Sequence, residues 1–143
     1  MAHFTFKKRI EFSDTDMAGI AHFSSFFRLM EAAEHAFYRS LGYSVVSDDH
    51  EIGWPRVHVS CDFKQPARFE EEILIELTIE ELREKSIRYT MDFLRDGNED
   101  RKLRHLATGK LAVACVQRDP ESGRMHAVSI PQEIRTKLET ASK

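Results

Sequence analysis

Cysteine is scarce in this chain: Cys61 and Cys115 are the only two among 143 residues. Two thiols that far apart have neither the number nor the spacing of a disulfide framework or a zinc site. Glycine (6) and proline (4) are also few, and no stretch reads as a repeat, a linker or a low-complexity segment. No apolar run approaches the roughly 20 residues needed to cross a bilayer. Charges already interrupt MAHFTFKKRIEF, the first residues, which speaks against a secretory signal. One-sided charge is missing as well. Twenty-one Lys and Arg against twenty-four Asp and Glu leave a formal charge of −3, whereas a duplex nucleic-acid binder needs a strong basic face. The seven histidines, at 3, 22, 35, 50, 58, 105 and 126, show no ligand-like spacing, so no metal is expected. With 41% hydrophobic residues, the chain can bury a core as a single domain over residues 1–143. The expected setting is the cytoplasm, with no nucleic-acid or membrane partner.

Apolar residues that are present follow two periods. Residues 3–12 alternate, with Phe4, Phe6, Ile10 and Phe12 on one side and only Lys8 breaking the pattern, as in a half-buried strand. Residues 13–19 form a polar turn. Over residues 24–41 the spacing becomes helical: Phe23, Phe26, Phe27, Met30, Ala33, Phe37 and Leu41 recur at three- and four-residue steps, and Arg28, Glu31, His35 and Arg39 mark another stripe. Ser24 or Ser25 is placed to cap this helix, and Gly42 stands just past its end. Alternation then returns through Val57, Val59, Cys61 and Phe63, through Ile73, Ile75, Leu77 and Ile79, and through Ile87, Tyr89, Met91 and Phe93.

Asp96-Gly97-Asn98 marks a turn. Residues 103–118 read as one long strand, covered on both faces near its middle, and residues 119–123 as another turn. Residues 124–130 read as a last strand. Pro131 suits the first turn of a terminal helix with Ile134 and Leu138 inward. The order implies an α+β fold, an antiparallel sheet of five to six strands wrapped around one long helix. One helix cannot cover so many strands, so self-association is expected.

The P-loop, G-x-G-x-x-G, G-x-S-x-G and H-E-x-x-H motifs are all absent. What stands out is Asp14-Thr15-Asp16-Met17-Ala18-Gly19-Ile20, between the first strand and the helix. An aspartate in such a turn ordinarily closes an Asx-turn or caps the chain. A carboxylate beside unpaired helix-start amides is also a sensible arrangement for acyl transfer, because those amides stabilise the oxyanion of an attacked carbonyl. The carboxylate then activates water or attacks directly. His22 is a candidate base close by.

The stretch IEFSDTDMAGIAHFSSFFRLMEAAEHAF resembles the signature of the 4-hydroxybenzoyl-CoA thioesterase-like family of hotdog-fold acyl-CoA thioesterases. The likeness continues through Gly53-Trp54-Pro55, VHVSCDF, Pro66-Ala67-Arg68-Phe69 and Lys85-Ser86, from about residue 5 to residue 138. It implies hydrolysis of an acyl-CoA to a free acid and coenzyme A, with no cofactor beyond the coenzyme A of the substrate. By the same resemblance Asp16 is the catalytic carboxylate, as nucleophile or general base, Gly19 is the motif glycine, and the Phe23 backbone N–H polarises the carbonyl. Arg83, Lys85 and Ser86 correspond to the segment that meets the nucleotide end of coenzyme A, and Glu31 to an acidic helix position near the acyl pocket. His22 is a further candidate at the substrate. Asp14 is expected to be structural. Relatives often carry Tyr or His where Phe23 stands, and Asn where Ser25 stands. A homodimer or homotetramer is implied, with the site at a subunit boundary. Two alternatives remain at this point: an acyl-CoA or acyl-carrier hydratase-dehydratase on the same fold, and a non-catalytic acyl-binding module.

Overall fold

The computed structural model describes residues 2–46 and 51–143, so His50 lies outside the described residues. Strand β1 (Phe4–Arg9) alternates as expected, with Phe4 resting on Phe37 of the long helix at a ring separation of 5.6 Å. It ends three residues early. Asp14 reaches back to accept the Glu11 N–H at 2.8 Å and folds Phe12–Asp14 into one 3-10 turn, which leaves the Phe12 ring 80% exposed instead of inward.

Helix α1 (Ser25–Ser40) is the only long helix among the described residues. Phe26, Met30, Ala33 and Phe37 are buried as the spacing requires, while Phe23 and Phe27 project past the sheet and are exposed. Leu29, Glu34 and Tyr38 are buried too, because the Trp54 segment encloses α1 on a second side; the Tyr38 and Trp54 rings lie 5.7 Å apart. Neither serine caps the helix with its side chain. Ser24 carries no such bond, and Ser25 Oγ donates instead to the Asp14 carbonyl at 2.8 Å. At the other end Leu41 closes the last turn, and Gly42 follows at φ +87°, where a side chain is disfavoured.

Next come β2 (Ile52–Gly53), β3 (Arg56–Phe63), β4 (Glu72–Leu82) and β5 (Ser86–Arg95), then a short helix α2 (Arg101–Arg104), β6 (His105–Ala114), β7 (Val116–Arg118), β8 (Met125–Ala127) and α3 (Gln132–Ala141). Five strands pair antiparallel in the order β1-β4-β5-β6-β3, and β2-β7-β8 form a smaller sheet. This is the hotdog arrangement. Ile73, Ile75, Leu77, Ile87, Met91 and Phe93 are fully buried against α1, each contributing about 1.5–3 kcal/mol of transfer free energy.

The expected strand over residues 103–118 is broken. Leu103 lies in α2, capped by Asp100 Oδ1 accepting the Lys102 N–H at 2.9 Å, and the ladder stops at Cys115, whose N–H turns to the Lys85 carbonyl at 2.8 Å. Residues 96–98 form a bend, as expected, and Leu138 is buried beneath α3. The last strand is shorter than expected, Met125–Ala127. Where α1 crosses β6, the Met30 side chain fills the place where a Cβ on Gly109 would stand. Among the described residues, no helix is long and apolar enough to cross a membrane.

The sheet has two unlike edges. β1 carries Lys7, Lys8 and Arg9, with Lys7 paired to Glu72 and Asp96 and Arg9 to Glu72, a short and charged edge that resists pairing. β3 is longer and leaves Val57, Val59 and Phe63 exposed.

Candidate functional site

The loop of residues 15–21 is stitched into place along its length. Asp16 N–H donates to the Ile20 carbonyl at 3.0 Å, Ala21 N–H to the Ala67 carbonyl at 2.7 Å, and Phe69 N–H to the Gly19 carbonyl at 3.0 Å. Gly19 sits at φ +77°, in the left-handed region that strains any L side chain. Asp14 and Asp16 have separate tasks in this loop. Asp14 is spent on structure: its carboxylate holds the 3-10 turn, and its carbonyl accepts both the His22 N–H at 2.8 Å and the Ser25 hydroxyl at 2.8 Å. Asp16 uses Oδ1 to accept the Ala18 N–H at 2.8 Å, an Asx-turn. Its Oδ2 has no hydrogen-bond partner among the described residues.

Asp16 borders a cavity of about 370 Å³ whose lining includes Ala21, Phe23, Phe26, Phe63, Lys64 and Gln65. Phe26 forms the aromatic floor, edge-on to Phe63 and Phe93 at 5.0 Å each. At the start of α1 the amides are mostly occupied. Ser24 N–H donates to His22 Nδ1 at 3.2 Å, Ser25 N–H to the His22 carbonyl at 2.9 Å, and Phe26 N–H to the Phe23 carbonyl at 3.2 Å. The Phe23 N–H is left without an acceptor among the described residues, so it is an amide of this helix start that is available to an incoming carbonyl.

His22 is half-buried and turned to the helix rather than the cavity. Its Nδ1 also shares a hydrogen bond with Ser24 Oγ at 2.8 Å, and its ring stacks on Phe23 at 4.4 Å. Both of its side-chain hydrogen bonds are to Ser24, one residue before the helix. Glu31 is apart from the cavity, on α1 beside a groove of about 190 Å³ lined by Phe27, Met30, Arg56 and Val59, and accepts from Arg56 at 3.2 Å.

Arg83, Lys85 and Ser86 lie at the start of β5, whereas the cavity lies near its end: Arg95 closes β5 and bonds Glu71 and the Pro66 carbonyl. A ten-residue strand puts these two places about 30 Å apart. Arg83 pairs with Glu81 at 3.0 Å, and Lys85 forms no ion pair among the described residues. One chain therefore brings together Asp16, Gly19 and Phe23, keeps His22 at the helix start, and separates Glu31 and the basic segment from them.

Neither cysteine is primed as a nucleophile. Burial pushes the Cys61 thiol up to about 11 and raises that of Cys115. Among the described residues, no group of three or more His, Cys, Asp or Glu could hold a metal ion. Three features were not singled out from the sequence. Phe63, Lys64 and Gln65 complete the cavity from the end of β3, immediately before the Pro66-Ala67-Arg68-Phe69 segment. Glu34, fully buried, bonds Arg56; its signal was an acid four residues after Met30, at core spacing. The His22 ring accepts the Ser24 N–H, one residue before α1 begins.

A family profile described as the thioesterase-like superfamily matches residues 10–138. A 1,4-dihydroxy-2-naphthoyl-CoA hydrolase of Crocosphaera subtropica is 27% identical over 111 residues, 76% of this chain and 81% of that protein. A 4-hydroxybenzoyl-CoA thioesterase of a Pseudomonas species is 33% identical over 86 residues, 57% of this chain and 61% of that protein. The matched stretch is thus about three fifths of the Pseudomonas protein's length. Among solved structures, the BH1999 gentisyl-coenzyme A thioesterase superposes with a TM-score of 0.77 at 28% identity, covering 92% of this chain and 99% of that one.

Proposed function

We propose, because the chain belongs to the thioesterase-like superfamily, that it hydrolyses an acyl-CoA thioester to a free acid and coenzyme A. The observation that carries this reading is the pairing, on one cavity, of the Asp16 carboxylate with the unengaged Phe23 N–H. The thioester carbonyl oxygen accepts from the Phe23 N–H, which stabilises the charge that grows there as the carbon becomes tetrahedral. Asp16 stands beside the carbon as the nucleophile or as the base that takes a proton from water. In the first case its oxygen bonds to the carbon, the C–S bond breaks, coenzyme A leaves as the thiolate, and water cleaves the resulting anhydride. In the second, water supplies the oxygen and Asp16 holds its proton. Gly19 lets the loop present Asp16. A single-turnover reaction in 18O-water separates the two, since only the nucleophilic route labels Asp16.

Phe23, Phe26 and Phe63 around the cavity favour a flat, apolar acyl group, and the three relatives above are named for aroyl-CoA substrates. Arg83 and Lys85, with the Ser86 hydroxyl, are assigned to the phosphates of coenzyme A. Because they lie about 30 Å from Asp16 within one chain, a homodimer is part of the proposal. A second copy pairing antiparallel along β3 runs in the opposite direction and brings its basic end toward Asp16. The chain acts as one hotdog domain over residues 1–143, in a reducing compartment such as the cytoplasm that keeps Cys61 and Cys115 as thiols.

Hydratase chemistry would need a second acid or base at the cavity, and of the lining residues only Asp16 is a carboxylate while His22 faces away. The test is thiol release from a panel of aroyl- and alkanoyl-CoAs. Release, fastest with aroyl-CoA, is the expected result; saturable binding without release would favour an acyl-binding module.

A further inference from the structure

Glu34 is the one fully buried charge on α1, at 0% exposure, and neither the cavity nor the basic segment uses it. Arg56 grips it with a fork. One guanidinium nitrogen donates to Glu34 Oε1 at 2.6 Å and the other to Oε2 at 3.2 Å. The same two nitrogens also reach the Trp54 carbonyl and Glu31, each at 3.2 Å. Arg56 thereby ties three segments together: the middle of α1, the Trp54 turn and the first residue of β3. Burial raises the Glu34 carboxyl above its usual range against the pull of Arg56, so the desolvation cost of holding this ion pair inside offsets part of its attraction.

Its location gives the pair a purpose. Arg56 opens the exposed edge strand, and the register skips at Val57 between Arg56↔Val113 and His58↔Ala112, a bulge that would turn the edge out of line unless it were held. We propose that Glu34 and Arg56 are positioning residues whose buried fork holds β3 in the shape that a second copy of this chain pairs with. The proposal rests on the two-copy reading above, and it assigns to α1 control of the edge through which that copy binds.

The test compares the wild type with Glu34→Leu/Arg56→Met by thermal unfolding, sedimentation equilibrium and specific activity across a dilution series. Replacing a buried ion pair by apolar side chains of similar volume is often neutral for folding. The expected double variant therefore melts at or above the wild-type temperature, yet its dimer dissociation constant rises about tenfold or more and its activity falls on dilution where the wild type holds. A dissociation constant and dilution profile within about threefold of wild type would overturn the proposal. Should the double variant unfold at a lower temperature, Arg56→Lys decides: it keeps the charge but cannot fork, so weaker pairing at an unchanged melting temperature supports the proposal and unchanged pairing overturns it. A wild type fully active as a monomer would instead sink the two-copy reading, in an arm that involves no variant.

Discussion

At one end of the sheet, where β5 finishes at Arg95, the exposed aromatics Phe12, Phe23, Phe63 and Phe69 stand among paired charges, and Asp14 and Asp16 each accept from a backbone amide. At the other end, where β5 starts at Ser86, Arg83, Lys85 and Arg88 are exposed beside Glu84, and one carboxylate, Glu81, serves both arginines. In the proposed function the first end is assigned to the acyl group and its carbonyl and the second to the phosphates. A substrate with both characters needs both ends, and one chain holds them about 30 Å apart. The open β3 edge, unlike the charged β1 edge, offers a way to bring the two together, since antiparallel pairing of two copies places opposite ends side by side.

The largest effect belongs to the aromatic end. Asp16→Asn should lower kcat by about a hundredfold or more, with melting temperature and oligomeric state unchanged; a variant keeping half the wild-type kcat would remove chemistry from that end. Next is the link between ends. Val59→Lys places a charge in the middle of the open edge and should yield monomers by light scattering, with activity down about tenfold or more in dilute solution. A fully active monomer would show that each chain suffices. The basic end should act on binding alone: Arg83→Glu/Lys85→Glu should raise KM about tenfold at low salt with kcat little changed, and the gap should narrow as salt screens the exposed charges. Smallest is the structural acid. Asp14→Ala should cost about 1 kcal/mol and lower Tm by about 2–4 °C. Its kcat should stay within about threefold of wild type, against the loss at Asp16 two residues away.

Much of the fold is readable because burial here follows simple periods. β4 and β5 have one face on α1, so Ile73, Ile75, Leu77, Ile87, Met91 and Phe93 fall at every second position, and only Thr90 and Leu94 on β5 are buried out of phase. Legibility fails where a side chain competes with a ladder. Phe12 fits the alternation of β1, yet the Asp14 carboxylate outbids the strand for the Glu11 amide. Cys115 fits a long strand, yet its N–H belongs to Lys85. At the helix start the spacing offers Ser24 and Ser25 as caps, yet Ser24 turns to the His22 ring and Ser25 Oγ to the Asp14 carbonyl. The acidic motif marks where the cavity is, but Phe63, Lys64 and Gln65 reach it only through β3–β6 pairing, a contact with no local signature. Glu34 was hidden in the same way, its meaning depending on an arginine 22 residues further on.

The bare spot at Gly109 bears on what the cavity can accept. Met30 lies directly on that backbone, and Phe26, one helical turn earlier, makes the cavity floor. A side chain at position 109 would first displace the Met30 thioether, which packs one turn from Phe26 on the same face of α1, without altering a single lining residue. Room beside the cavity floor thus depends on a position outside its lining, where this chain carries no methyl group.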